Sequence, residues 1–170
     1  GMTIHAWSGI GIKDELTPYD LEQITTREKI VKRVKATDVL VIDEISMLDG
    51  KVLDMVAQVV RVARGSNEPF GGLQVVLVGD FFQLPPITRN NAPLHYAFMG
   101  SAWQQLRLLT CYLTEQHRQE DELLLGLLGS IRRNEIEDDH YTLLNEQTEI
   151  AYDDIEPTRL YTHNADVDAV

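Results

Sequence analysis

The stretch Val39-Leu40-Val41-Ile42-Asp43-Glu44-Ile45-Ser46-Met47-Leu48-Asp49-Gly50 decides how the chain folds. Its first four residues are apolar, mostly β-branched, and show no alternation. Such a run predicts a strand buried on both faces, as in a parallel sheet. Two adjacent carboxylates, Asp43 and Glu44, follow where the strand ends, and open α/β sheets bind ligands off the carboxyl ends of their strands. A Mg²⁺-dependent phosphoryl-transfer site needs one acid there to hold the metal and another to handle an attacking water. Alone, the pair is equally well explained as the solvated start of a loop, so the choice rests on the sequence around it.

Downstream, Asp49 is placed to cap a helix whose apolar positions, Val52, Met55, Val56, Val59, Val60 and Ala63, are spaced by three and four, with Gly65 as its stop. Gln74 to Val78 predicts a second buried strand ending in Gly79-Asp80. Pro85-Pro86 then forces a turn. Residues 88–100 read as irregular, and Ser101 is placed to cap a short helix carrying Trp103 and Leu106, with Trp103 in the core. Cys111 to Thr114 predicts a third strand. A helix follows from about Asp121 to Arg133 with Leu123, Leu124, Leu127, Leu128 and Ile131 on one face, then a short helix from His140 to Glu146. Arg159 to Thr162 predicts a last strand, and Ala165 to Val170 the start of a helix.

Upstream, Gly1 to Ile12 reads as a loop or short strand. Thr17-Pro18-Tyr19-Asp20 is a helix start, with Thr at the N-cap, Pro at N1 and an acid at N3. Thr25 and Glu28 form a second capping-box pattern. Glu28 to Lys35 predicts a helix with a basic face of Lys29, Lys32, Arg33 and Lys35, either solvated or facing a polyanion. Strand, helix, strand, helix, strand is the pattern of an α/β protein with a parallel sheet.

The chain has 170 residues and a net charge of −12. The charge is uneven: residues 1–110 hold 11 Lys+Arg against 12 Asp+Glu, and residues 111–170 hold 4 against 15. An acidic surface repels phosphate backbones, so nucleic-acid contacts are expected in the first two-thirds. No run approaches the roughly 20 apolar residues of a membrane span, and no basic-then-apolar leader opens the sequence. The single cysteine, Cys111, forbids an internal disulfide and fits a reducing compartment, with a small buried hydrophobe as its expected role.

Four stretches in order resemble the PIF-type, RecD-like DNA helicases of superfamily 1. Thr3-Ile4-His5-Ala6-Trp7-Ser8-Gly9-Ile10-Gly11 is similar to motif Ia, Val41 to Leu48 to motif II (Walker B), Leu77 to Pro86 to motif III, and Leu113 to Gln119 to motif IV. Arg159 to Ala165 resembles the strand that opens the second RecA-like domain. The resemblance implies a RecA-like, P-loop NTPase fold. Residues 1–156 would be a partial first domain, residues 11–37 a small inserted helical subdomain, and residues 157–170 the start of a second. It implies an ATP-dependent 5′→3′ DNA helicase of repair, recombination and telomere maintenance, using ATP and Mg²⁺ on single-stranded DNA. Such a protein works in a bacterial cytoplasm or nucleoid, or in a nucleus or mitochondrion.

The resemblance also implies roles. Asp43 binds Mg²⁺ through water, and Glu44 orients or deprotonates the attacking water. Gln83 senses the γ-phosphate and Arg118 acts as an arginine finger. Thr3, His5, Ser8 and Pro86 line the DNA path. Trp7 is expected in the core, with base stacking as the alternative. Outside this context, Gln83 reads as a turn residue and Arg118 as the partner of Glu115 or Asp121 in an ion pair.

The sequence departs from the family pattern in one respect above all. G-x-x-x-x-G-K-[ST], the phosphate-cradling loop with its lysine, does not occur in the chain, and motifs V and VI are absent. The chain alone is therefore expected to be inactive and to need that loop segment and a second RecA-like domain as partners. An incomplete parallel sheet also predicts that the chain either self-associates through unpaired edges or closes the gap with its own segments. Two other readings stand beside this one: a non-catalytic remnant serving as a binding module, and a phosphohydrolase built on Asp43, Glu44 and Asp80.

Overall fold

A computed structural model describes residues 1–88, 92–148, 150, 158–161 and 167–168. The chain divides into two compact units, residues 1–113 and 114–170.

In the first unit, strands β1 (Val39–Ile42) and β2 (Gln74–Leu77) pair in parallel, with Val39 opposite Gln74 and Ile42 opposite Leu77. The sheet is one-sided. Leu40 and Ile42 are buried and Val75 and Leu77 pack against the core, while Val39, Val41 and Val76 are exposed. This corrects the expectation of a strand buried on both faces. A continuous apolar run reports only that both faces tolerate apolar side chains; burial of the second needs a covering layer, and the described residues supply none. No strand forms at Cys111 to Thr114 or at Arg159 to Tyr161; Thr162 and most of the last predicted helix lie outside the described residues.

Helix α4 (Gly50–Arg64) is the hub. Asp49 caps it by accepting from the Lys51 N–H at 2.7 Å, and Gly65 ends it at φ 65°. Its Leu53, Val56, Val59 and Val60 are fully buried. The turn Pro69–Gly72 folds back onto it, and Arg64 Nε donates to the Gly71 carbonyl at 3.0 Å. Around it pack α1 (Ile4–Ser8), α2 (Pro18–Thr25), α3 (Glu28–Lys35) and α5 (Ser101–Leu106). Ser101 is not the cap expected of it but the first helical residue; Asp54 of α4 takes that role, accepting from the Ser101 and Ala102 N–H groups.

Two upstream expectations need correction. The opening stretch is a helix. Thr3 caps it by accepting from the Ala6 N–H, Gly9 closes it at φ 80°, and Trp7 and Ser8 are buried. The Thr25–Glu28 capping box does not form: Thr25 lies in the last turn of α2, bonding back to the Leu21 carbonyl, and Arg27 precedes α3 without a side-chain cap. The Thr17–Asp20 box forms in full.

Phe81, just beyond β2, stands edge-on to Tyr96, Phe98 and Trp103, with centroids 5.0–6.1 Å apart. The second unit holds α6 (Glu122–Arg133), capped by Asp121, and α7 (Asp138–Thr148). Leu127 is buried, but Leu123, Leu128 and Ile131 are exposed. Cys111 is exposed rather than buried, because residues 109–121 run as an exposed segment without regular structure.

Candidate functional site

Because β1 and β2 are parallel neighbours, their carboxyl ends lie on one edge of the sheet. The ladder continues past both strands: Val78 N–H donates to the Ile42 carbonyl at 2.9 Å, and Ile45 N–H to the Val78 carbonyl at 3.0 Å. Asp43-Glu44 therefore sits beside Gly79-Asp80. Gly79 permits this approach, since a Cβ there would lie 2.9 Å from the Ile45 nitrogen.

Asp43 and Glu44 are both exposed. Asp43 Oδ1 accepts from the Glu44 N–H at 2.9 Å. Glu44 adopts φ 51°, ψ 45°, the left-handed region that side-chain-bearing residues rarely occupy. Strained backbone of this kind persists where surroundings enforce it and clusters at functional sites. The turn Ile45–Met47 then carries the chain into α4, and buries the Ser46 hydroxyl without a hydrogen-bond partner.

Across the edge, Asp80 organises the next turn. Its Oδ1 accepts from the Phe82 N–H at 3.1 Å, its carbonyl from the Gln83 N–H at 3.0 Å, and its Oδ2 from Gln83 Nε2 at 3.2 Å. The exposed Gln83 side chain is thus anchored on a carboxylate rather than on its own backbone. Sequence reasoning missed this pairing, although an Asp opening a turn with Gln three residues on is an Asx-turn signal. The described residues hold no cluster of three or more His, Cys, Asp or Glu able to bind a metal. Asp43, Glu44 and Asp80 therefore do not form a three-acid metal cluster among the described residues.

A hollow of about 720 Å³ opens between α1 and the exposed face of β1. Met2, Thr3, His5, Val41, Asp43 and Glu44 are among its walls, and among the described residues no Lys or Arg lines it. Thr3 is exposed and His5 half-buried. Ser8 is fully buried, its hydroxyl donating to the Ile4 carbonyl at 2.8 Å, and Pro86 is buried too. Trp7 is a core residue at 9 % exposure. Arg118 is exposed in the second unit, where Glu115 pairs with His117.

The family model for PIF1-like helicase matches residues 1–126. The ATP-dependent DNA helicase Pif1 of Psychrobacter is 42% identical over the whole chain, and RRM3 of Saccharomyces cerevisiae is 38% identical over 99% of it. The chain spans about a quarter of the length of these relatives, 27% and 24%. Among solved structures, Pif1 helicase from Candida albicans superposes with a TM-score of 0.89 at 32% identity, covering 99% of this chain and 39% of that one. Pif1 from Bacteroides in complex with ADP-AlF3 and ssDNA superposes at 0.87 with 31% identity, over 99% of this chain and 42% of the other. The two-stranded parallel sheet with its helices is part of a RecA-like α/β fold, and the chain belongs to the PIF1-like helicase family.

Proposed function

We propose that this chain forms the Walker B and motif III wall of an ATP-dependent 5′→3′ DNA helicase. The observation that carries the reading is the edge where Asp43-Glu44, with Glu44 held in a left-handed conformation, meets the Asp80–Gln83 turn across a glycine. The donor set suits Mg²⁺, which takes one or two carboxylates and fills its remaining positions with water and phosphate oxygens. Asp43 would hold the ion, which supplies charge neutralisation at the phosphates. Glu44 takes the proton of the attacking water or orients it. Gln83, released from Asp80, follows the γ-phosphate, and Arg118 offers its guanidinium to the transition-state charge.

Thr3 and His5 are exposed enough to reach the backbone or sugars of single-stranded DNA. The buried Ser8 and Pro86 support that surface from beneath. Two partners complete the site: a segment bearing the phosphate-binding loop with its lysine, and a second RecA-like domain. The lining of the hollow favours this, because among the described residues it offers two carboxylates and no Lys or Arg to a triphosphate. Residues 157–170 would open that second domain, and residues 11–37 form the inserted subdomain. DNA repair, recombination and telomere maintenance, in a nucleoid, nucleus or mitochondrion, are the settings that fit. No helix among the described residues is long and apolar enough to cross a membrane.

The test is strand separation and ATP turnover by the intact protein carrying this segment, as wild type and as Glu44→Gln. Turnover should fall about 10²–10³-fold in the variant, the scale of losing one preorganised catalytic group, with nucleotide binding retained. Single-stranded DNA binding without any ATP turnover in the wild-type protein would instead identify a non-catalytic binding module.

A further inference from the structure

The basic face of α3 is not uniformly turned to solvent. Lys32 pairs with Glu28 one turn earlier. Arg33 is half-buried and turned onto α1: its Nη1 donates to the Ala6 carbonyl at 2.8 Å and the Trp7 carbonyl at 3.0 Å, and lies 3.2 Å from Met2 Sδ. The last carbonyls of a helix lack intrahelical partners, and a guanidinium there satisfies them and complements the helix dipole. α1 has only five residues, far below what is stable unaided in water. Its C-terminal end meets α3 a second time at Gly9, where any Cβ would collide with Ile30. α3 is itself fixed to α4 by Arg64, whose Nη1 donates to the Val34 and Thr37 carbonyls at 3.3 and 3.2 Å.

We propose that Arg33 is a positioning residue for single-stranded DNA: by holding the carbonyls of Ala6 and Trp7 it sets the angle at which α1 presents Thr3 and His5. The proposal rests on the reading of α1 as a DNA-facing helix. It assigns Arg33 no direct contact with phosphate: its Nη1 is directed onto α1.

The two roles differ in salt dependence. A cation that contacts single-stranded DNA contributes about 0.7 to the slope of log affinity against log salt, whereas a hydrogen bond from an uncharged group such as the Thr3 hydroxyl contributes nothing to it. The experiment titrates a labelled oligothymidylate with the intact protein as wild type, Arg33→Ala, Arg33→Lys, Thr3→Ala and His5→Ala, below each protein's melting midpoint and across a salt series. Arg33→Ala should bind on the order of tenfold more weakly, the scale of a charged hydrogen bond. Arg33→Lys should fall between it and wild type, and all salt slopes should agree. A slope lower by about 0.7 in Arg33→Ala means direct contact and overturns the proposal. So does unchanged affinity in a folded but less stable Arg33→Ala. If Thr3→Ala and His5→Ala bind like wild type, the reading of α1 fails; if they weaken and Arg33→Ala does not, only the role of Arg33 fails. Should Arg33→Ala not fold, Arg33→Lys and Arg33→Gln are judged by the same criteria.

Discussion

On the proposed reading, Glu44 concentrates the conflict between stability and chemistry in one residue. Its left-handed backbone costs on the order of 1–2 kcal/mol for a residue with a Cβ, and glycine there would not incur it. Glu44→Gly should therefore keep or raise stability, by up to about 1 kcal/mol in urea unfolding after allowing for the greater entropy of glycine in the unfolded chain. In the intact protein it should abolish ATP turnover. A clear loss of stability would show that the carboxylate, not the strain, dominates at this position. Gly79 behaves oppositely. A methyl there meets backbone at Ile45, which a side-chain rotation cannot relieve. Gly79→Ala should destabilise by about 1–3 kcal/mol and lower turnover by shifting Glu44, and a wild-type melting midpoint with full turnover would refute this. The position of Asp43 and Glu44 at a strand end was legible because an apolar run ending in acids is a local pattern. The burial of Ser8 and Pro86 and the anchoring of Gln83 on Asp80 were not, because exposure and hydrogen-bond choice depend on neighbours that spacing does not reveal.

At the scale of elements, capping decided which readings held. Thr17, Pro18 and Asp20 form a complete box with Lys13 beside it, and the Lys13 ammonium and Thr17 hydroxyl hold the Asp20 carboxyl at about 2, below its ordinary 3.8. A depressed carboxylate pKa means that the unfolded state binds more protons as pH falls, so the contribution is present above about 4 and is lost toward 2. Stability should decline more steeply between pH 4 and 2 in wild type than in Asp20→Asn, as read by chemical denaturation at each pH; equal slopes would refute it. Thr17→Ala should cost about 1 kcal/mol, whereas Thr25→Ala, whose hydroxyl only back-bonds within α2, should change stability by less than about 0.5 kcal/mol. Asp49 with Gly65 and Thr17 with Asp20 were readable because caps are sequence-local. α1 was missed because five residues carry no helical period, and its stability comes from Trp7 in the core and Arg33 on its last carbonyls. The strand expected at Cys111 to Thr114 failed because β-propensity needs a paired neighbour, and none exists there among the described residues.

Over the first unit as a whole, the outstanding feature is a sheet with one finished face. Val39, Val41 and Val76 stand 38–59 % exposed on the other, and only one edge of β1 is paired among the described residues. The sequence named the sheet but not its one-sidedness, since a strand written for burial on both faces looks the same whether or not a second layer is present. Apolar side chains beside an open strand edge associate. The chain alone should therefore self-associate at micromolar concentration, seen as an apparent mass by light scattering that rises with concentration. Val41→Lys, which places a charge in the middle of the exposed row without touching Leu40 or Ile42, should shift the population toward monomer while leaving the melting midpoint within a few degrees. The intact protein should behave differently: if its remaining segments cover β1, Val41→Lys becomes the burial of an unpaired charge and should be strongly destabilising. A monomeric chain at all concentrations, together with an intact protein indifferent to Val41→Lys, would mean that this face is solvent-exposed by design and that no segment closes over the Asp43-Glu44 edge from that side.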